Sequence, residues 1–259
     1  MRATTFVAAL CAMAITSAHA GNLSFTGYAR SLDGGELLYI ETHAVADPGG
    51  AREQRVVLYR CPADSKPFAR KLLEYGSERT APGFDFNDAR SGFAEGLTRD
   101  SRGLTVFARL GVHAPVVAAP LVSPGELVAD AGFDEFVRGR WDSLERGQVS
   151  KVPFVVPSFA DTVSFRVRKV GDTNIDGDAA SVIRLSMAGP LGWFLPDIDV
   201  SYRKRDRRLM RFRGTTNIRD AAGELLKAQI DFPDTARSEA VVDLAALRSL
   251  PLVNNCNGS

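Results

Sequence analysis

The stretch from Val152 to Phe232 constrains this chain more than any other. Turn signals divide it into strand-like segments: Val152–Val156, Thr162–Val170, Ser181–Met187, Ile198–Lys204, Arg208–Thr215 and Leu225–Phe232. Most of them alternate. Phe165, Val167, Ile183, Leu185, Met187, Ile198, Val200, Tyr202, Met210, Phe212, Ala228, Ile230 and Phe232 fall in one phase. Arg166, Arg168, Arg184, Asp199, Arg203, Arg211, Arg213, Lys227 and Asp231 fall in the other. A period of two puts these sets on opposite sides of a pleated sheet. The expectation is an antiparallel meander with one apolar face and one basic, wet face.

Residues 22–75 continue the pattern with Leu23–Ala29, Glu36–His43, Gln54–Arg60 and Phe68–Tyr75, set off by Asp33-Gly34-Gly35 and Asp47-Pro48-Gly49-Gly50. Glu78–Asn87 reads as a loop with Ala81-Pro82-Gly83 as its breaker. Phe93–Thr98 and Leu104–Leu110 read as a hairpin. His113–Val122 holds two prolines and reads as an extended connection.

One region is helical in period. Ser123-Pro124-Gly125-Glu126 supplies an N-cap, a first-turn proline and a capping-box glutamate. Leu127, Val128, Ala131, Phe136, Val137, Trp141 and Leu144 then recur at helical spacing, and Gly147 is placed for a C-cap. Pro124–Arg146 is expected to form one or two amphipathic helices, with Gly132 and Gly139 as the places to bend or break. Ala240–Leu247 suggests a short last helix ahead of Pro251. An apolar sheet face must be covered. The fold class that follows is mainly β: a curved antiparallel sheet, half-barrel or open barrel, with one main amphipathic helix in its concavity, formed by residues 21–259 as a single domain.

The first twenty residues are set apart. Arg2, the apolar run Phe6–Ile15 and Ala18-His19-Ala20 before Gly21 have the layout of a cleaved secretory signal peptide, which implies a periplasmic destination. Beyond it stand two cysteines, Cys61 and Cys256. In an oxidising compartment they are expected to pair, unless they remain separate thiols. With 32 basic and 31 acidic residues the chain is balanced, which argues against a dedicated nucleic-acid binder.

This arrangement resembles the curved half-barrel of the periplasmic lipoprotein-localisation factors and uncharacterised proteobacterial envelope proteins of the same architecture. The residues that carry the likeness are Phe133-Asp134-Glu135-Phe136-Val137 through Trp141, Val152-Pro153-Phe154-Val155-Val156-Pro157-Ser158, Phe165-Arg166-Val167-Arg168-Lys169, and Arg211-Phe212-Arg213-Gly214 with Thr216-Asn217-Ile218. They cover roughly the second half of the chain and are patterns of strands and turns, not of chemistry. The resemblance implies a carrier or shield for a lipid-like ligand.

Four local patterns admit two readings each. Asp172-Thr173-Asn174-Ile175-Asp176-Gly177-Asp178 opens like a calcium loop, but the twelfth position is Ile183 instead of glutamate, and a polar hairpin turn accounts for it as well. Arg203, Lys204, Arg205, Arg207, Arg208, Arg211 and Arg213 form the densest charge run, which is either a seat for anionic head groups or a solvated hairpin tip. Gly189-Pro190-Leu191-Gly192-Trp193-Phe194-Leu195-Pro196 is either a greasy binding lip or a plug at one barrel end. Asp85, Asp88 and Glu95 could support acid–base chemistry or be ordinary surface acids.

Catalytic signatures are missing from the sequence: no G-x-S-x-G, no phosphate-binding glycine loop, and outside the leader only His43 and His113. No catalytic residue, metal or cofactor is expected. The leading expectation is non-catalytic binding of a hydrophobic or amphipathic ligand, with Phe133, Phe136, Trp141, Trp193, Phe194, Arg205, Arg207 and Arg208 as ligand-binding residues. Peripheral contact with the membrane or with envelope proteins is the further partner expectation. The alternative is a structural or interaction protein with a fully packed barrel, and a carboxylate hydrolase ranks last.

Overall fold

The computed structural model describes residues 22–122, 125–189, 197–239 and 241–256. One antiparallel sheet dominates it. The first meander comprises β1 (Leu23–Ser31), β2 (Leu37–Ala46), β3 (Gln54–Arg60), β4 (Pro67–Glu74), β5 (Gly83–Asp88), β6 (Phe93–Asp100), β7 (Gly103–Leu110) and β8 (Val117–Leu121). The second comprises β9 (Ser150–Val156), β10 (Asp161–Ile175), β11 (Asp178–Met187), β12 (Ile198–Arg203), β13 (Leu209–Arg219) and β14 (Leu225–Asp231). Short β15 (Arg237–Glu239) pairs with β1. Between the meanders lie helices α1 (Gly132–Gly139) and α2 (Trp141–Glu145); α3 (Leu244–Ser249) belongs to the tail.

The spatial order is β8 through β1 in sequence, then β14 back through β9. The meanders join where β1 pairs with β14, matching Tyr28 with Asp231 and Ala29 with Ile230. The strands β8 and β9, consecutive in sequence, are therefore the two opposite edges of an open sheet. Residues 122–149 have to cross the concave side to connect them. This is the curved, open antiparallel sheet with helices in its concavity that the alternation implied.

Several expected elements shift. The segment read as a loop over Glu78–Asn87 ends in a true strand, β5: Phe84, Phe86 and Asp88 are buried while Asp85 faces out. The breaker Ala81-Pro82-Gly83 precedes it instead of replacing it. The extended connection His113–Val122 forms β8 in its second half, and Pro120 is tolerated because β8 is an edge strand.

The helix expected from Pro124 begins at Gly132. Ser123 and Pro124 lie outside the described residues. The backbone of residues 128 and 129 bonds to neighbouring chain instead of to a helix. The Val128 N–H donates to Pro153 O at 3.0 Å, the Val155 N–H donates to Val128 O at 2.8 Å, and the Ala129 N–H donates to Thr80 O at 2.9 Å. Asp130 then adopts a φ of 45°, which breaks helical continuity, and its Oδ1 accepts from the Ala131 N–H. A Cβ at Gly132 would lie 2.1 Å from Thr80 O, so glycine permits this close docking. The break after Gly139 gives two helices, and Gly147 has the positive φ, 79°, of a helix terminator.

The tail helix also starts late, at Leu244. Asp243 caps it by accepting from the Ala246 N–H, and it ends before Pro251. The chain then lies along the outside of β4, with the Val253 N–H donating to Pro67 O at 2.9 Å.

Cys61 and Cys256 are disulfide-bonded across a sequence separation of 195 residues, which pins this tail to the end of β3. Trp141 belongs to one buried cluster with Phe136, Val137, Leu144, Val152, Val167 and Ile183, so α1 and α2 pack into part of the concavity of the second meander.

A bulge in the β12–β13 pairing overturns one assignment. Ser201 faces Arg211, but Tyr202 faces Leu209. The slip turns Leu209 inward and sends Met210 to a separate cluster with Ile175 and Ala180.

Replacing both cysteines by serine should lower stability by about 2–5 kcal/mol, since the bridge restricts the unfolded chain. Urea melts of the oxidised protein and the variant check this; equal midpoints would contradict it. Trp141→Ala should cost about 3–5 kcal/mol, and a loss under about 1 kcal/mol would place that ring at the surface.

Candidate functional site: an amphipathic cavity

The helices do not fill the whole concavity. Beside them lies a cavity of about 470 Å³. Its two walls differ in chemistry because they come from different meanders. The second meander contributes Leu185, Ile198, Val200, Leu209, Phe212, Ile230 and Phe232, and Phe25, Phe93, Phe133 and Phe154 add aromatic surface. Apart from Leu209, turned inward by the β12–β13 bulge, the second-meander residues of this wall belong to the apolar set read from the alternation.

The first meander contributes the other wall. Direct cross-strand neighbours run Phe25, His43, Val57, Lys71, Phe86 and Glu95 from β1 to β6. Opposed residues share a face, so His43, Lys71 and Glu95 all point inward. Glu41 and Tyr59 are opposed in the adjacent row. The sequence reading missed this polar wall. The available signal was polar residues in phase with buried apolar ones: Glu41 and His43 between Tyr39 and Val45, and Lys71 between Ala69 and Leu73.

Most of these charges are paired. Lys71 Nζ meets Asp130 Oδ2 at 2.6 Å, with both side chains nearly buried. Burial pulls the ammonium pKa down, but Asp130, Tyr59 and Glu41 outweigh it, and the group is held charged. His43 Nε2 lies 3.1 Å from Glu41 Oε2, and the imidazole stacks on Phe25 at 4.3 Å between centroids. Arg55 donates to Glu53, which also receives Arg79 and the Gly49 N–H. The Tyr202 hydroxyl donates to Asp134 at 2.7 Å.

Glu95 differs. It faces the cavity, and it has no hydrogen-bond or ion-pair partner among the described residues. Burial raises its pKa to about 7; Asp130 adds to the rise, and Lys71 and Arg219 oppose it. The arrangement offers a hydrocarbon wall facing hydrogen-bonding groups, which suits an amphipathic molecule.

The expected site residues separate. Phe133 lines the cavity. Phe136 and Trp141 pack beneath it in the core. Trp193 and Phe194 lie outside the described residues, as does the apolar loop that holds them from residue 190 onward.

Arg205, Arg207 and Arg208 stand at the β12–β13 turn, away from the cavity lining. They belong to a network centred on Arg203. That guanidinium donates to Asp206, Asp178 and Asp234, and its side chain is only 6% exposed, not wet as the alternation implied. Arg205 meets Asp178 at 3.3 Å and Arg208 meets Asp234 at 2.7 Å. Arg207 reaches α2, 3.5 Å from Asp142 and over the Trp141 ring. The basic run is thus largely neutralised in place.

The calcium-like segment is a β10–β11 hairpin turning at Asp176 and Gly177, both with positive φ. Asp172 is held by Lys169 and Lys204, and Asp178 by Arg203 and Arg205. The acids Asp85, Asp88 and Glu95 do not converge. Asp85 points to the opposite face, and Asp88 is clamped by Arg90 at 2.8 Å.

No protein-family model and no curated protein matches the chain. Among solved structures, the chain is similar to a β-barrel-like protein of a domain of unknown function, DUF1849, from Brucella abortus. The TM-score is 0.51 at 8% identity, over 83% of this chain and 98% of that one. That likeness supports the fold alone. A DUF1329 family protein from Desulfovibrio piger overlays with a TM-score of 0.32 at 10% identity, covering 91% of this chain and 93% of that one. A provisionally named outer membrane lipoprotein-sorting protein domain from Vibrio parahaemolyticus gives 0.29 at 8% identity, covering 88% and 89%. These two overlays are too loose to carry an argument. The class that fold and cavity define is an open, curved β-sheet protein with an internal amphipathic cavity.

Glu95 should leave a signature in stability. Its folded pKa lies above the unfolded value, so the folded state holds the extra proton between them and loses stability as pH climbs through about 7. Glu95→Gln should therefore stabilise the protein by about 1–3 kcal/mol at pH near 8 and much less near pH 5. Denaturant melts at both pH values check this; a uniform effect would remove the carboxyl from the cavity.

Proposed function

We propose that this protein is a non-catalytic binding protein of the bacterial envelope that holds an amphipathic, lipid-like ligand in its cavity. One observation carries the reading: a cavity of about 470 Å³ remains between an apolar and a polar wall after the helices have packed. A fully packed structural barrel, the competing reading, would leave no such space. The volume falls within the range of small-molecule sites. The acyl tail lies against Phe212, Val200 and Leu185, with Phe133 beside it.

The leader Met1–Ala20 delivers the chain to the periplasm. The Cys61–Cys256 bridge suits that oxidising compartment.

Tail burial contributes about 0.8 kcal/mol per methylene, so affinity should climb with acyl length until the cavity is full. Fluorescence titration with a series of fatty acids and lysophospholipids measures it. Val200→Trp should fill the apolar lobe and weaken binding by about tenfold or more while circular dichroism still shows the β fold. If no probe binds below about 100 μM, near −5.5 kcal/mol, the reading is overturned.

A further inference from the structure

We propose that the polar end of the ligand is a hydrogen-bond-donating nitrogen, an ammonium group above all, and that the Glu95 carboxylate receives it inside the cavity. The inference rests on the binding reading above and names the chemistry of the ligand's head.

Glu95 is the acid in the lining that nothing holds. Glu41 has His43 at 3.1 Å, Asp130 has Lys71 at 2.6 Å, and Asp134 has the Tyr202 hydroxyl at 2.7 Å. The Glu95 carboxyl faces the cavity with no partner among the described residues. Glu95 is half-buried, and a largely desolvated carboxyl without a partner is costly. One that points into a cavity is completed by what enters the cavity.

Of the lining cations, two are committed. Lys71 is committed to Asp130, and Arg55 to Glu53. Arg219 donates from Nη1 to Gly223 O at 2.8 Å and spreads over the Phe93 ring at 4.6 Å, but its buried Nε has no hydrogen-bond partner among the described residues. It has no carboxylate partner among the described residues, so it anchors the rival case, an anionic head.

The raised pKa of Glu95 agrees with this placement. The groups facing it are Lys71 from β4, Asp130 from the crossing segment and Arg219 from β13. An ammonium beside the carboxyl favours its ionised form. Binding of a permanently charged amine should therefore strengthen as pH rises through about 7, where free Glu95 loses its proton.

Isothermal titration with dodecylamine, dodecanoate and dodecanol, three heads on one tail, tests the inference. At about pH 8 the amine should bind the protein about tenfold or more tightly than dodecanoate, since a charge-assisted hydrogen bond is worth that much. Its affinity should fall about tenfold by about pH 6. Glu95→Gln, checked for fold by circular dichroism, should remove both the preference and the pH dependence.

Dodecanoate equal to or tighter than the amine at about pH 8, or an amine affinity indifferent to Glu95→Gln, overturns the inference. Dodecanol binding in those cases leaves the binding reading standing. If none of the three binds, both fall together. Should Glu95→Gln fail to fold, the pH profile of the wild-type protein decides alone.

Discussion

The structure depends on one topological obligation: the chain must travel from one edge of its sheet to the other across the concave side. Each meander is built of local hairpins, and neither hides its inner face alone. The described part of the crossing, residues 125–149, packs against both: Leu127 and Ala129 join the first meander's core and α1 and α2 the second's. They are fixed by backbone bonds to β9 and Thr80, by the close approach that Gly132 permits, and by the buried Lys71–Asp130 pair. A buried ion pair adds little net stability, because desolvation offsets its attraction. Its contribution here is position: Asp130 can satisfy Lys71 in one placement of the segment.

The cavity follows from that crossing. The two short helices cover the second meander near β9–β12, and the segment ahead of them is extended, so it occupies less volume than a helix would. What remains is bounded by two walls contributed by different halves of the chain. One is continuous hydrocarbon. The other carries charges in phase with its buried residues, which no solvent-facing pattern explains. Most of these charges are paired, Lys71 with Asp130 of the crossing segment and His43 with Glu41, and the open carboxyl of Glu95 stands out against them.

Linear charge density proved a poor guide to surface potential. The run from Arg203 to Arg213 is the most basic in the chain, yet Asp178, Asp206, Asp234, Asp142 and Asp231 come to it from four other places in the fold or from its own turn. These pairs brace the β10–β11 and β12–β13 hairpins and the α2 helix against one another. Arg203, alternating with wet neighbours in sequence, ends up nearly buried because three acids surround it.

By itself the sequence determined the class of fold. Alternation of period two marks the strands, short turns make them neighbours, and part of the second meander's apolar set lines the cavity while the rest packs against the helices or elsewhere. The isolated pair Cys61 and Cys256 also became the disulfide. Three things waited for the tertiary structure. The helix start moved to Gly132 because residues 128 and 129 found sheet and loop partners that helical periodicity does not reveal. Met210 left the concave face because a bulge, invisible in the pattern, slipped the register by one. The polar wall escaped notice because Glu41, His43, Lys71 and Glu95 lie on three strands, β2, β4 and β6, and only the ladder brings them together. Local sequence dictates which face a side chain takes; which other faces it meets is decided by the path of the chain.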